Sequence, residues 1–278
     1  MKNETLYGSE DSLPMNIKGV GSWSALKYKL IQLYAQLFTA GMTGKWGTLV
    51  YIDLYSGSGQ SRVEDTNEIL LGSPLIALSL DVQFSQYVFC EKDSATLDAL
   101  RQRVAARFPK ASVTYVEGDC NDSWSKILST IPRRALCLCF VDPYDFSIHF
   151  NTLSKLAAGR NIDFLCLLAS RMDAGRNHLT YTTEESTKVD LFLGSREWRK
   201  GWDDPNTRRK NFGDYICAEF AKRMETLGYL PNPLHEMKTI KDGNRALYHL
   251  ALFARHPTAK HFWKQVLKYS IPQRTLFD

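Results

Sequence analysis

The stretch TLVYIDLYSGSGQ, residues 48–60, decides the fold class. It begins as a run of β-branched and other apolar residues, which favours a buried strand. It ends abruptly in serine and glycine residues, which are typical of a tight turn. A helical pattern begins at Ser73-Pro74, after a charged segment, 61–72, that we predict to be a loop. A strand that leads through a glycine turn to a helix is typical of an α/β sheet.

Strand-like and helix-like segments alternate along the rest of the chain. Strands are predicted at 86–91, 112–116, 134–141 and 163–169, and helices at 94–108, after 121, at 149–158 and at 211–226. Such alternation predicts a parallel, doubly wound sheet with right-handed crossovers. Two further strands, 236–240 and 247–254, are joined by Lys241-Asp242-Gly243-Asn244, and Asp-Gly between strands is a hairpin signal. We therefore predict a mostly parallel α/β sheet with a C-terminal antiparallel hairpin.

The composition fits one substantial domain. The chain has 278 residues, of which 44% are apolar and 23% charged, so it can bury a core. We predict a leader at 1–22 and a single domain at 23–278, with an amphipathic helix at 24–41 near its start. The polar segment at about 177–210 is interpreted as an insertion or lid, since such long loops in compact domains are usually functional or disordered.

Several classes of protein are disfavoured by the composition. The apolar runs are far shorter than the roughly 20 residues of a membrane helix, and the first twenty residues lack the apolar stretch of a secretory signal. We expect a cytoplasmic protein without a membrane partner. The six cysteines form no CxxC or Cys/His array, which favours reduced thiols and no metal site. A net charge of +5 is compatible with a nucleic-acid partner without requiring one.

Acidic or glycine-bearing turns follow the first three predicted strands, at the edge where an open α/β sheet binds ligands. Gly57 and Gly59 would let the backbone approach a cofactor, next to Asp53. Glu91 could bind both ribose hydroxyls of an adenosine ligand, and Asp119 could accept a hydrogen bond from an adenine amino group. Each feature also has a structural interpretation, as a tight turn, a helix N-cap or an Asx turn.

The missing third glycine of GxGxxG argues against a dinucleotide site. Acidic or glycine-bearing turns at the ends of four successive strands, the fourth containing Asp142, together favour an adenosyl cofactor. Three neighbours of the acidic and glycine residues complete the set of candidate cofactor-binding residues: Tyr55, Lys92 and Cys120.

Asp142-Pro143-Tyr144 ends the fourth predicted strand. It resembles the Asp-Pro-Pro-Tyr motif of amino-methyltransferases, in which the acid and a backbone carbonyl bind the target amine and the aromatic ring stacks on a flipped base. The second proline is absent here, so a structural turn with a packed tyrosine is the alternative. The three residues are the candidate catalytic group.

Six motifs, taken in order, resemble those of the three-Cys-motif partner protein family. They are DLYSGSG (53–59), GSPLIAL (72–78), VFCEKD (88–93), EGDCND (117–122), FVDPYDF (140–146) and MDAGRN (172–177). The resemblance implies a Rossmann-like class I methyltransferase fold, S-adenosylmethionine as cofactor, and a functional link to a separate three-cysteine, radical-SAM-like protein. It implies no particular substrate.

Two functions are consistent with these patterns. The first is an S-adenosylmethionine-dependent methyltransferase acting on a nucleobase or another polar macromolecular group. The second is a non-catalytic methyltransferase-like module that binds and regulates the three-cysteine partner. Basic residues and two tryptophans at 196–210 could contact phosphates and bases, or could form a solvated lid anchored by the tryptophans.

Overall fold

The computed structural model describes residues 6–8 and 18–269. Its strands are β1 (Tyr7–Gly8), β2 (Lys18–Val20), β3 (Leu49–Asp53), β4 (Gln60–Val63), β5 (Ile69–Leu71), β6 (Gln86–Glu91), β7 (Val113–Glu117), β8 (Leu136–Val141), β9 (Asn161–Leu168), β10 (Lys238–Asp242) and β11 (Arg245–Phe253). Its helices are α1 (Ser24–Met42), α2 (Ser73–Leu78), α3 (Ser94–Arg107), α4 (Cys120–Thr130), α5 (Phe150–Ala157), α6 (Ala174–Tyr181), α7 (Lys188–Leu193), α8 (Trp198–Asp203), α9 (Phe212–Glu225) and α10 (Pro257–Tyr269).

The main sheet has seven strands in the order β10-β11-β9-β8-β3-β6-β7. The strands from β9 to β7 are parallel, whereas β11 is antiparallel to both of its neighbours. Numbered along the chain within this sheet, the order is 3-2-1-4-5-7-6 with the seventh strand reversed, which is the arrangement of the class I methyltransferase fold. The predicted fold class, a mostly parallel Rossmann-like sheet with a C-terminal hairpin, is confirmed.

Aromatic side chains hold helices against both faces of this sheet. On one face, Phe38 of α1 stacks on Phe84 at 5.8 Å between ring centroids, and Phe84 contacts Tyr51 of β3 at 5.4 Å. On the other face, Phe220 of α9 packs edge-on against Phe253 of β11 at 5.5 Å. Such aromatic pairs add to the stabilisation that burial of apolar area provides.

The helices begin where the sequence offers capping residues. The Asp93 carboxylate accepts a hydrogen bond from the Thr96 amide at 2.7 Å at the start of α3, and the Asn211 side chain accepts one from the Asp214 amide at 3.2 Å at the start of α9. The first turn of α9 lies unusually close to the end of β9: a Cβ added to Gly213 would lie 1.6 Å from the Ser170 carbonyl oxygen. Only glycine fits this contact.

The prediction that 61–72 is a loop is wrong. β4 and β5 pair antiparallel, and with β1 and β2 they form a second sheet in the order β1-β5-β4-β2. The charged and polar residues are concentrated in the turn at 64–68, whereas Val63 and Leu70 are buried in the core. The apolar residues on either side of the turn therefore favour a hairpin.

Two short parts of the predicted 1–22 leader belong to this second sheet. β1 pairs with β5, and β2 pairs parallel to β4. The other parts of that leader, 1–5 and 9–17, lie outside the described residues, as do 270–278.

The segment interpreted as an insertion or lid, 177–210, contains the end of α6 and the two short helices α7 and α8. α7 contacts α5 and α9, and α8 also contacts α9. All six cysteines are buried with free thiols. Within the described part of the chain, no helix combines the length and the apolar character needed to cross a bilayer.

Candidate functional site

The glycine turn after β3 combines an open position with a closely packed one. Gly57 and Gly59 have φ angles of +61° and +85°, a region that favours glycine. A Cβ on Gly57 would meet no atom within 4 Å, whereas one on Gly59 would lie 2.8 Å from the Leu100 side chain. Gly57 therefore presents accessible backbone at the sheet edge, and Gly59 lets the turn pack against α3.

Asp53 lies fully buried at the end of β3. Its carboxylate accepts hydrogen bonds from the Ser73 hydroxyl at 2.6 Å and from the Tyr55 amide at 3.2 Å. Burial raises the pKa of Asp53 to about 7, although both hydrogen bonds oppose the shift. Asp53 thus fixes the start of the glycine turn from within the protein.

Glu91 links the end of β6 to the glycine turn. One carboxylate oxygen accepts a hydrogen bond from the Gly57 amide at 3.0 Å, and the other accepts one from the Asp93 amide at 3.1 Å. Lys92, which follows Glu91, is exposed. The structure therefore brings Glu91 and Gly57 together, as expected if both face one ligand.

Asp119 and Cys120 lie at the end of β7, where α4 begins. The exposed Asp119 caps α4 by accepting a hydrogen bond from the Asn121 amide at 2.8 Å through one oxygen. Cys120 is buried beside the Tyr55 hydroxyl, and burial raises the pKa of the Cys120 thiol to about 12. Tyr55 and Cys120 therefore connect the glycine turn to the Asp119 turn from the inside.

A cavity of about 230 Å³ opens next to Asp119. Its other lining residues come from three segments, namely the start of α4, the loop after β8 and α7: Asn121, Asp122, Phe146, Ser147, His149, Lys188 and Leu191. The segment 177–210 thus contributes one wall of a cavity at the carboxyl edge of the sheet.

The three candidate catalytic residues follow β8 and differ in exposure. Asp142 is half-buried, Pro143 is buried, and Tyr144 has 71% of its surface exposed. The structure therefore does not show the packed tyrosine that the alternative interpretation requires. Because β3 and β8 are neighbouring parallel strands, Asp142 and Asp53 end adjacent strands of the sheet.

Lys27 of α1 forms an ion pair with Asp142, with its ammonium 2.6 Å from one carboxylate oxygen. The ammonium also lies 4.5 Å from the ring centre of Tyr28 and 5.7 Å from that of Trp23. Burial alone would lower the pKa of Lys27, but the charge and hydrogen bond of Asp142 together with Tyr28 and Tyr248 outweigh this effect, and the pKa is raised. Lys27 is therefore charged at neutral pH.

Sequence analysis missed Lys27 and its aromatic neighbours. Lys27 lies on the same helical face as the buried residues Leu30, Ile31 and Tyr34 of α1. A lysine within an apolar stripe at this spacing is the signal that could have identified it, because a buried lysine requires a partner.

The loop after β8 is held in place by the segment that follows β9. The Asp173 carboxylate accepts hydrogen bonds from the Phe146 amide at 3.2 Å and from the Tyr181 hydroxyl at 2.7 Å. Lys188 of α7 pairs with Asp145 at 2.8 Å, and the Phe146 and Phe192 rings stack at 4.3 Å between centroids. The candidate acceptor loop and α7 are therefore one packed unit.

The basic stretch at 196–210 is largely neutralised by local ion pairs. Arg196 and Arg199 both contact Asp190, and Arg208 contacts Asp203. The Trp198 indole donates a hydrogen bond to Asp190 at 2.7 Å, and the Trp202 ring packs 4.9 Å from that of Phe212. These contacts attach the stretch to the domain.

Comparison with known proteins finds solved structures of similar architecture. No protein-family model matches the chain, and no curated protein matches its sequence. A Legionella pneumophila protein shares 14% identity over 88% of this chain and 93% of its own, with a TM-score of 0.47. A magnesium protoporphyrin IX methyltransferase from Synechocystis, solved with bound S-adenosylmethionine, shares 11% identity over 90% of this chain and 88% of its own, with a TM-score of 0.42. A Staphylococcus aureus protein described as a candidate caffeoyl-CoA O-methyltransferase shares 9% identity over 84% of this chain and 93% of its own, with a TM-score of 0.40.

Proposed function

We propose that this chain is a cytoplasmic S-adenosylmethionine-dependent methyltransferase whose acceptor is a nucleobase or another polar macromolecular group. The observation that carries the proposal is a row of three carboxylates at the ends of adjacent parallel strands. Asp53, Glu91 and Asp119 end or follow β3, β6 and β7, in the order in which these strands lie in the sheet. An open glycine turn lies between the first two.

Two residues of this row, Glu91 and Asp119, together with Gly57, fit an adenosine-type cofactor. A carboxylate offers about four acceptor positions, and the two hydrogen bonds recorded for Glu91 leave acceptor capacity for ribose hydroxyls. The recorded hydrogen bond of Asp119 uses one oxygen, so the other can face a base amino group in the adjacent cavity. The open space at Gly57 leaves room for a ligand against the backbone.

Bound S-adenosylmethionine would supply a methyl group on a sulfonium, which is a strong leaving group. The protein's own residues then have to hold the acceptor in line and exclude water, and no covalent intermediate with the protein is needed. Tyr144 presents an exposed ring on which a planar acceptor can stack. Asp142, which follows the same strand, is held in place by its ion pair with Lys27.

Calorimetric titration with S-adenosylmethionine and S-adenosylhomocysteine tests the proposal. We expect saturable binding to the wild-type protein, and affinity reduced at least tenfold in Glu91→Gln, which keeps the shape and loses the charge. Glu225→Gln, an exposed change on α9, is the matched control and should bind as the wild type does. Absence of binding at millimolar ligand would contradict the proposal.

The relationship to three-Cys-motif partner proteins is likewise our inference, and it rests on the ordered motifs of the sequence. Five of those motifs lie at or just after the carboxyl ends of β3, β6, β7, β8 and β9, which supports a shared ligand-binding edge. The non-catalytic alternative makes the opposite prediction in the same titration. A stable complex with a three-cysteine protein, together with no binding of either adenosyl ligand, would favour it.

A further inference from the structure

Lys27 is a buried cation with unused hydrogen-bonding capacity. Its residue surface is 5% exposed. Within the described residues its ammonium makes one hydrogen bond, to Asp142 at 2.6 Å. An ammonium carries three donors, so two N–H groups have no hydrogen-bond acceptor among the described residues, beside the aromatic rings of Trp23 and Tyr28. Buried donors of a charged group are costly to leave without acceptors, which indicates that a ligand completes the set.

The position of Lys27 on the sheet edge identifies which end of a ligand it meets. The candidate adenosine-binding residues, Glu91 and Asp119, lie at the ends of β6 and β7. Lys27 of α1 instead contacts Asp142, which follows β8. The charge of Lys27 also acts to lower the pKa of Asp53 at the end of β3. A ligand whose adenosine lies over β6 and β7 therefore directs its opposite end towards β3, β8 and Lys27.

The charges at this end are complementary to an amino acid. The Lys27 ammonium and the Asp142 carboxylate form a pair with no net charge, in a nearly buried position. A zwitterion carries the same two charges, so its carboxylate can meet Lys27 while its ammonium meets Asp142. The pairing leaves no charge unmatched, whereas an anion or a cation alone would leave one, at a high cost in a buried site.

We propose that Lys27 binds the carboxylate of the amino-acid end of the adenosyl cofactor and that Asp142 faces the ammonium of the same end. The inference rests on the proposed function, since it concerns the same ligand. Trp23 and Tyr28 are positioning residues in this arrangement, because their rings stabilise the ammonium of Lys27 and shield it from water.

The test compares three ligands and two variants by calorimetry. S-adenosylhomocysteine carries the amino-acid end, and decarboxylated S-adenosylhomocysteine lacks only the carboxylate. Methylthioadenosine, which lacks the whole amino-acid end, reports whether the adenosine site is intact. The variants are Lys27→Met and, as control, Lys155→Met, whose lysine on α5 also lies over a tryptophan ring, at 5.7 Å, but is exposed.

We expect Lys27→Met to bind S-adenosylhomocysteine about ten- to a hundredfold more weakly than the wild type, as for loss of a charge-assisted hydrogen bond. Its affinity for methylthioadenosine should be unchanged. Removing the carboxylate should weaken binding to the wild type by a similar factor but have little effect on Lys27→Met, because the two changes remove one interaction. Lys155→Met should behave as the wild type.

Two outcomes would overturn the inference while leaving the proposed function intact. One is equal binding of S-adenosylhomocysteine to the wild type and Lys27→Met, as expected if Lys27 serves the methyl acceptor instead. The other is equal binding of the two homocysteine ligands to the wild type, a comparison that does not depend on the folding of a variant. If the wild type binds none of the three ligands, the proposed function itself fails.

Discussion

Asp163 offers a direct test of how burial of a carboxyl group affects the stability of this protein. It lies in β9 with 9% of its surface exposed, and within the described residues no hydrogen bond to its carboxylate is recorded. Burial raises the pKa of Asp163 from 3.8 to about 7, even though the charge of Arg255 opposes the shift. A pKa difference of about 3 between the folded and the unfolded state changes the free energy of unfolding by about 4 kcal/mol.

The sign of the effect follows from proton binding. Because the folded-state pKa is above the unfolded-state pKa, the folded protein retains a proton between about pH 4 and pH 7 that the unfolded chain has released. The contribution of Asp163 to the free energy of unfolding therefore falls as the pH rises through this window. Asp163→Asn has the same shape and cannot ionise, so it should not show this fall.

We expect Asp163→Asn to equal the wild type in stability near pH 4 and to exceed it above pH 8, by up to about 4 kcal/mol. Urea unfolding followed by circular dichroism at pH 4, 6 and 8 measures the difference. Asp98→Asn, an exposed change on α3, is the control and should leave the pH dependence unaltered. A wild-type-minus-variant difference that does not change between pH 4 and pH 8 would refute the reasoning.

Three further predictions concern the packing around the site. Gly213→Ala should lower the free energy of unfolding by about 1–3 kcal/mol, because the added methyl group would collide with the Ser170 carbonyl. Gly175→Ala, where the added methyl group has open space in α6, should not lower it, and equal thermal midpoints for the two variants would contradict this. Asn121→Ala should lower the free energy of unfolding by about 2 kcal/mol in chemical denaturation, since the side chain makes two hydrogen bonds to the loop after β8 and one to Thr152 of α5. An unchanged midpoint would show that the loop is held otherwise. Arg199→Met should speed amide hydrogen exchange in residues 182–190, because the Arg199 guanidinium donates hydrogen bonds to three backbone carbonyls in that segment. Unaltered exchange would show that Arg199 does not hold the segment in place.

The parts of the fold that the sequence predicted are those encoded locally. The buried runs that form β3, β6, β8 and β9 are continuous in the chain, and the segments that follow them contain glycine or acidic residues. Parallel strands then bring their carboxyl ends to one edge of the sheet by topology alone. The sequence could therefore predict that Asp53, Glu91 and Asp142 lie at the same edge, although it could not give the distances between them.

The features that the sequence did not predict depend on contacts between distant segments. Lys27 and Asp142 are separated by 115 positions, and neither residue by itself indicates the other. The strands β4 and β5 are three or four residues long and are interrupted by a charged turn, so their local signal is that of a loop. Their pairing with β1 and β2 provides the hydrogen bonds that such short strands lack alone.

The second sheet has a practical consequence for any shortened form of the protein that lacks the residues before α1. The chain before α1 supplies two of its four strands, and the Leu6 carbonyl accepts a hydrogen bond from the Leu71 amide at 2.9 Å. The neighbouring Gly72 amide is hydrogen-bonded to the Gly59 carbonyl at 2.8 Å. Trimming the protein to begin at Trp23 would therefore expose the open edges of β4 and β5, which invites association between chains, and would loosen the support behind the glycine turn.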